Sequence, residues 1–192
     1  MKVGVLALQG AFREHIRMLN SLGVDAVEIR LPDEIDEVDG LIIPGGESTT
    51  MRKLMADFRF IDTIKEFAAA GKPVFGTCAG LIVMADRLNG RKQDFLNLID
   101  IDVERNAYGR QVDSREADIS SQSLGEEPFH AVFIRAPQIL GTGPGVEELA
   151  RYQGKIVFAR QKNILVATFH PELTGDARIH KFFLQMLSSK AR

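Results

Sequence analysis

Short apolar runs alternate with amphipathic stretches through the first half of the chain, and this alternation restricts the possible folds more than any other feature. Val3–Leu8 (VGVLAL) reads as a buried strand. Ala11–Leu22 follows with Phe12, Ile16, Leu19 and Leu22 at helical spacing, and Gly23 is placed to cap it. Asp25–Ile29 and Gly40–Ile43 are the next strands, the second ending at Pro44-Gly45-Gly46. Thr50–Ala70 is predicted helical with a break near Phe58–Phe60, Pro73–Phe75 a strand, and Ala79–Leu88 a helix. Strands and helices in this order imply a three-layer α/β fold, a mostly parallel central sheet with helices on both faces. The second half changes character. Val112–Ile119, Ala131–Arg135, Ala150–Gln153, Ile156–Arg160 and Leu165–Phe169 read as strands with few helices between them. They predict an antiparallel extension before a closing helix, Ala177–Ser188. No repeat or linker divides the chain, so residues 1–192 are expected to form one domain.

Composition narrows the function classes. With 45% hydrophobic and 26% charged residues, the chain is of ordinary globular type. Lys+Arg is 24 against Asp+Glu 26, a formal charge of −2, so no basic excess exists to neutralise a phosphate backbone and no nucleic-acid partner is expected. A single cysteine cannot form an intramolecular disulfide, which fits a reducing compartment. Val3–Leu8 falls well short of the ~20 apolar residues that span a bilayer and lacks the features of a signal peptide. The expectation is a cytoplasmic protein without a membrane partner. Gly141–Gly145 (GTGPG) is interrupted by Pro144 and reads as a turn rather than a dinucleotide loop. Neither metal nor organic cofactor is expected.

The chemistry-bearing segment is Lys72–Leu88, KPVFGTCAGLIVMADRL. An apolar strand enters Gly76-Thr77-Cys78-Ala79-Gly80 and a helix leaves it, the cysteine version of a nucleophile elbow. Small neighbours permit a tight strand-to-helix turn that lifts the sulfur above the sheet edge. The dipole of the following helix favours thiolate, the nucleophilic form. The Ala79 backbone N–H would point where an oxyanion could form. A lone cysteine is ordinarily a buried packing residue; the flanking glycines and the strand–helix setting argue against that here.

A cysteine nucleophile wants a base and a group that orients the base. Among four histidines, His15 and His180 lie in helical patterns and read as surface or packing residues, and His130 starts a strand-like run beside Pro128. His170 stands apart, ending a strand and preceding Pro171 and Glu172. A residue before proline is pushed toward extended geometry. If the extension continues, His170 and Glu172 project from the same side, and the carboxylate can orient the imidazole. Leu41–Thr50 (LIIPGGESTT) supplies a third piece: paired glycines whose amides can approach a ligand, with Ser48, Thr49 or Thr50 available to cap the next helix. No lysine follows the glycines, so it is not a phosphate loop. Gln9-Gly10, Gly46, Cys78 and His170 all fall at carboxyl ends of expected strands, where ligands gather in doubly wound sheets.

Taken together, these residues resemble the class I, triad-type glutamine amidotransferases, and within them the glutaminase subunits of pyridoxal 5′-phosphate synthases. The resemblance runs through PGGESTTMR at Pro44–Arg52, GTCAGLI at Gly76–Ile82, VERNAYGRQVDS at Val103–Ser114, FIRAP at Phe133–Pro137 and FHPELT at Phe169–Thr174. It implies a flavodoxin-like amidotransferase fold, with Cys78 as nucleophile and His170 and Glu172 completing the triad. L-glutamine contacts are implied at Gly46, Glu47, Ser48, Arg105, Ile134 and Arg135, with oxyanion or activation roles for Gln9, Gly10, Gly46 and Ala79. By spacing alone Arg105 and Arg135 would be ordinary surface charges, and both stay open as holders of the substrate α-carboxylate. The implied activity hydrolyses glutamine to glutamate and ammonia for vitamin B6 synthesis. The implied partner is a (β/α)₈-barrel synthase subunit in a closed assembly of roughly twelve copies of each chain.

Three other readings compete. A sister amidotransferase subunit, such as that of histidine biosynthesis, would share Cys78, His170 and Glu172 but should lack VERNAYGRQ and FIRAP. A thiol hydrolase or chaperone with a cysteine elbow would not need the carboxylate of His170-Pro171-Glu172. A non-catalytic binding module would not need to keep all three triad residues.

Overall fold

The computed structural model describes residues 1–105 and 114–188. Two residues of the expected strand Val112–Ile119, and the Asn106–Asp113 part of the VERNAYGRQVDS segment, lie outside them. In chain order the elements are β1 (Lys2–Leu6), α1 (Phe12–Ser21), β2 (Asp25–Ile29), β3 (Gly40–Ile43), α2 (Ser48–Asp57), α3 (Phe60–Ala69), β4 (Val74–Thr77) and α4 (Ala79–Met84). There follow β5 (Ala85–Leu88), β6 (Arg91–Lys92), β7 (Ile99–Glu104), β8 (Ser114–Ile119), β9 (Phe129–Ile134), β10 (Gln138–Thr142), β11 (Glu147–Tyr152), β12 (Lys155–Gln161), β13 (Ile164–Ala167) and α5 (Arg178–Ser188).

The large sheet runs β2-β1-β3-β4-β13-β12-β10-β7-β5-β6, with β11 beside β12, while β8 and β9 pair separately. From β2 to β13 all neighbours are parallel, and from β13 through β12 and β10 to β7 they are antiparallel. The parallel half and its antiparallel extension are as expected. Because side chains alternate across a strand, each apolar run feeds both faces. In β3, Leu41 and Ile43 pack with Met51, Phe60 and Leu81 of α2, α3 and α4. Ile42 packs on the other side, with Leu19, Ile179 and Phe183 of α1 and α5 and with Phe129 and Phe133 of β9. Phe75 of β4 meets Phe183 at 5.7 Å between ring centroids, tying α5 to the sheet; emptying such a site to alanine costs about 3–5 kcal/mol. No helix among the described residues is long and apolar enough to cross a membrane.

The break near Phe58–Phe60 is a left-handed residue, Arg59, between α2 and α3. The expected helix Ala79–Leu88 is wrong in its second half. It stops at Met84, and Ala85–Leu88 is a strand. Distant groups take its last carbonyls: Gln93 Nε2 donates to the carbonyls of Ile82 and Ala85 at 3.1 and 3.0 Å, and Leu98 N to that of Met84 at 2.8 Å. Of the expected turn Gly141–Gly145, the first two residues finish β10.

Candidate active site

Strands β1, β3, β4 and β13 lie side by side and parallel, so their carboxyl ends open on one edge. Gln9, Gly46, Cys78 and His170 follow those four ends. The chain turns sharply at Cys78, whose φ is 48° and ψ −103°, a conformation an L residue holds only when its surroundings enforce it. Enforcement is visible. Cys78 N donates to the Ala167 carbonyl at 2.9 Å, and the helix beyond presses so close to β3 that a Cβ on Gly80 would run into the Ile43 carbonyl. The thiol donates to the Ile134 carbonyl at 3.8 Å. Although only 6% of Cys78 is exposed, that part faces a cleft of about 460 Å³, so the sulfur is reachable.

His170 stands across the same spot. A Cβ on Gly45 would collide with the His170 ring and lie 3.2 Å from Cys78 Cβ, so both side chains crowd one glycine. Backbone N of His170 donates to the Val132 carbonyl at 2.8 Å, and its Nδ1 is 2.7 Å from Glu172 Oε1. The contact forms by a different route from the expected one. The chain does not stay extended; Pro171–Leu173 is a 3₁₀ turn closed by Leu173 N to the His170 carbonyl at 3.3 Å. Proline's fixed φ suits the first position of such a turn. Burial works against a charged imidazole, but the Cys78 side chain and the Glu172 carboxylate outweigh it and push the His170 pKa up to about 10. Burial also pushes Glu172 up, and His15 and His170 facing it more than offset this, leaving its pKa below the ordinary carboxylate range.

Gly10, Gly46, Glu47, Ser48, Ala79, Arg105, Ile134 and Arg135 line the cleft with Cys78 and His170. Gln9 and Glu172 are not among its lining residues. Gln9 instead grips the backbone of Glu47, and Glu172 lies behind His170. The helix cap also differs from expectation: Glu47, not Ser48, Thr49 or Thr50, caps α2, its carboxylate accepting from Thr49 N at 2.9 Å and Thr50 N at 2.7 Å. Those bonds, that of Thr49 N first, hold the Glu47 pKa down at about 2. That side chain is therefore occupied, while its residue still borders the cleft. Arg105 Nη1 reaches Thr49 Oγ1 at 3.3 Å, and Arg135 sits at a left-handed φ of 42°.

Of the two readings open for His15 and His180, surface or packing, the structure takes the second: both are fully buried, behind Glu172. A signal for this existed: His15 precedes buried Leu19 by four residues, and His180 precedes buried Phe183 by three, so each shares its helix's buried face. His130 is exposed in β9, 2.9 Å from both Asp118 and Glu116. Leu173 lines the cleft without having been expected there.

A parallel α/β sheet that carries an elbow cysteine against a histidine–carboxylate pair defines a class of protein, one equipped for acyl transfer from an amide or ester through a thioester. Within that class the chain belongs to the SNO glutamine amidotransferase family, which it matches over residues 5–189. It is 56% identical to the pyridoxal 5′-phosphate synthase subunit PdxT of Pelotomaculum thermopropionicum, over 96% of this chain and 94% of that one. To the PdxT of Moorella thermoacetica it is 54% identical, over 97% of this chain and all of the other. A crystal structure described as a glutamine amidotransferase superposes with a TM-score of 0.91 at 45% identity, covering 97% of this chain and 98% of that one.

Proposed function

We propose that this chain is the glutaminase subunit of a pyridoxal 5′-phosphate synthase, hydrolysing L-glutamine and passing ammonia to a synthase subunit. The observation that carries the reading is Cys78 at the mouth of a cleft, crowded against a His170 ring whose far nitrogen is 2.7 Å from Glu172. Names borne by relatives above 50% identity over nearly full length support the pathway.

In this mechanism the Cys78 sulfur attacks the side-chain carbonyl carbon of glutamine. Backbone N–H groups near Gly46 and Ala79 receive the oxyanion; removing one such donor costs ~10²–10³ in rate. The tetrahedral adduct collapses, its C–N bond breaks, and His170 gives the departing nitrogen its proton, leaving a γ-glutamyl thioester and ammonia. Water then adds to the thioester, with His170 taking its proton, and glutamate leaves as the Cys78 sulfur is restored. Throughout, Glu172 holds the imidazole in orientation and supports its charged form. Arg105 and Arg135, both bordering the cleft, are the candidates for the substrate α-carboxylate.

Ammonia released into bulk water is protonated and loses its nucleophilicity, which favours direct transfer to a docked synthase. We take that partner to be a (β/α)₈-barrel chain in a closed symmetric assembly of roughly twelve copies of each subunit. Residues 1–192 act as one glutaminase domain, consistent with apolar layers on both faces of a continuous sheet. A reducing compartment, the cytoplasm, suits a free nucleophilic thiol.

The test is to incubate the chain with a diazoketone analogue of glutamine, with and without a synthase subunit, and to locate the label by mass spectrometry. Labelling of Cys78, faster when the synthase is present, is expected. Label on other residues, or none on Cys78 with the partner present, overturns the reading. In parallel, Cys78→Ala should abolish glutamate release while retaining the wild-type circular dichroism spectrum.

A further inference from the structure

His15 on α1 and His180 on α5 are buried imidazoles that this mechanism leaves unused, and they meet directly behind the triad carboxylate. His15 Nδ1 is 2.9 Å from His180 Nε2. His15 Nε2 is 3.2 Å from Thr77 Oγ1 and 3.3 Å from Glu172 Oε2. Glu172 Oε1 is committed to His170. Oε2 is buried and makes no hydrogen bond of normal geometry among the described residues, so the His15 ring is what stands over it.

Counting protons decides how these rings are arranged. A neutral imidazole carries one N–H and one acceptor nitrogen. Burial depresses the pKa of both His15 and His180, outweighing the pull of the Glu172 carboxylate the other way, and so favours the neutral ring in each. With the His15 proton on Nε2, that N–H points at the Glu172 carboxylate and the Thr77 hydroxyl oxygen. Nδ1 then accepts from His180 Nε2–H, and what is left over is the lone pair of His180 Nδ1, an atom without a partner among the described residues. With the proton on His15 Nδ1, a nitrogen lone pair would face a carboxylate oxygen, and His180 Nδ1–H would be a buried donor with no acceptor. Both are costly. The first arrangement is the stable one.

We propose that His15 is a positioning residue for the triad. Its Nε2–H, held in that tautomer by His180, restrains the second oxygen of Glu172 so that the first stays on His170 Nδ1. The site thereby extends from three residues to a buried chain running Cys78, His170, Glu172, His15, His180, contributed by two strand ends and two helices on one face of the sheet. The ionisable groups around His15 are Glu172 and His170 on the segment after β13, His180 on α5, and Glu14 beside it on α1. The inference rests on the glutaminase reading.

Two measurements test it. In the wild-type chain labelled with ¹⁵N-histidine, long-range ¹⁵N–¹H correlations read which nitrogen carries the proton in each of the four histidines. Nε2–H at both His15 and His180, unchanged between about pH 6 and 9, is expected of buried neutral rings. A His15 protonated on Nδ1, or on both nitrogens, overturns the proposal, and this arm needs no variant to fold. The second measures glutamate release with the synthase subunit present. His15→Leu should lower kcat by about 10–100-fold, the effect of losing a hydrogen bond to a charged group, with KM little changed. His15→Gln, whose side-chain amide can donate from the same place, should recover most of that loss. Wild-type kcat in His15→Leu, or a His15→Gln variant as slow as His15→Leu, overturns the assignment. Cys78→Ala run alongside separates the two readings: an active Cys78→Ala removes the glutaminase proposal itself, whereas an inactive one beside a fully active His15→Leu removes the role of His15 alone.

Discussion

The side-chain amide of Gln9 clamps the peptide of Glu47 from both ends: Nε2 donates to the Glu47 carbonyl at 3.2 Å, and Oε1 accepts from Glu47 N at 3.3 Å. The grip joins the segment after β1 to the glycine loop after β3, and Ala11 N reinforces it by donating to the Gly45 carbonyl at 3.0 Å. The loop whose amides are proposed to meet an oxyanion is thus held by a neighbouring segment, not by its own turn alone.

Gln9→Leu removes both bonds while keeping the bulk. Two long, partly exposed hydrogen bonds are worth about 1 kcal/mol together, so the urea midpoint should shift only slightly. The glutaminase rate with synthase present should fall by about 10-fold or more, because misplaced oxyanion donors cost far more in rate than in stability. Glutamate release and urea denaturation of the same variant check this, and an unaltered rate would exclude Gln9 from the activation machinery.

Glu172→Gln keeps the shape behind His170 and removes the charge. Burial lowers the His170 pKa, while Cys78 and Glu172 raise it, so losing one of the raising groups must lower it. The alkaline limb of the pH–kcat/KM profile should move to lower pH by about a unit or more. Its maximum should fall by about 10²-fold or more as the imidazole loses its orientation. A profile that drops in height without moving would mean that Glu172 orients the ring but does not support its charge.

Glu47 links stability to acid. Its pKa is held down at about 2 in the folded chain, against about 4.5 unfolded. A carboxylate depressed by folding contributes stability above its unfolded pKa, and that contribution is lost as pH falls from about 4.5 toward 2. Because the group is largely in solvent, the effect is that of a helix cap, about 1 kcal/mol. Wild type should therefore exceed Glu47→Ala in urea stability at neutral pH, and the gap should narrow steadily below about pH 4.5. A gap constant down to pH 3 would show that the cap acts without its charge.

Gly80→Ala tests the elbow. The added methyl would meet the Ile43 carbonyl, a backbone atom that cannot swing aside. The variant should lose about 3 kcal/mol or more and its reaction with thiol alkylators should change, since Cys78 is held by the same packing. Calorimetry and the alkylation rate measure the two effects.

The parallel half of the sheet was readable because each of its strands is a short apolar run bounded by glycine, proline or charge, and those cues are local. Asp25–Ile29 and Gly40–Ile43 lie where expected, and Phe58–Phe60 marks the break between α2 and α3. The strand Ile99–Glu104 was not among the expected elements, although Ile99, Ile101 and Val103 alternate with Asp100, Asp102 and Glu104 in a clear period of two. The end of α4 had no local cue, since the groups that stop it come from Gln93 and Leu98.

Residue type and spacing were enough for the cysteine elbow, the histidine–carboxylate pair and their common sheet edge, because a strand that ends in glycines and a small-residue turn dictates where its side chains emerge. Tertiary structure decided the remainder. It bent His170–Glu172 into a 3₁₀ turn instead of an extended run, assigned the Glu47 carboxylate to a helix cap, and buried His15 against Glu172 across 157 positions of sequence. The first two are settled by which nearby backbone groups a carboxylate or a carbonyl meets, Thr49 and Thr50 for Glu47 and Leu173 for His170, a choice that spacing leaves open. The third depends on what a polar group meets once water is excluded, and that partner is supplied by a distant part of the chain.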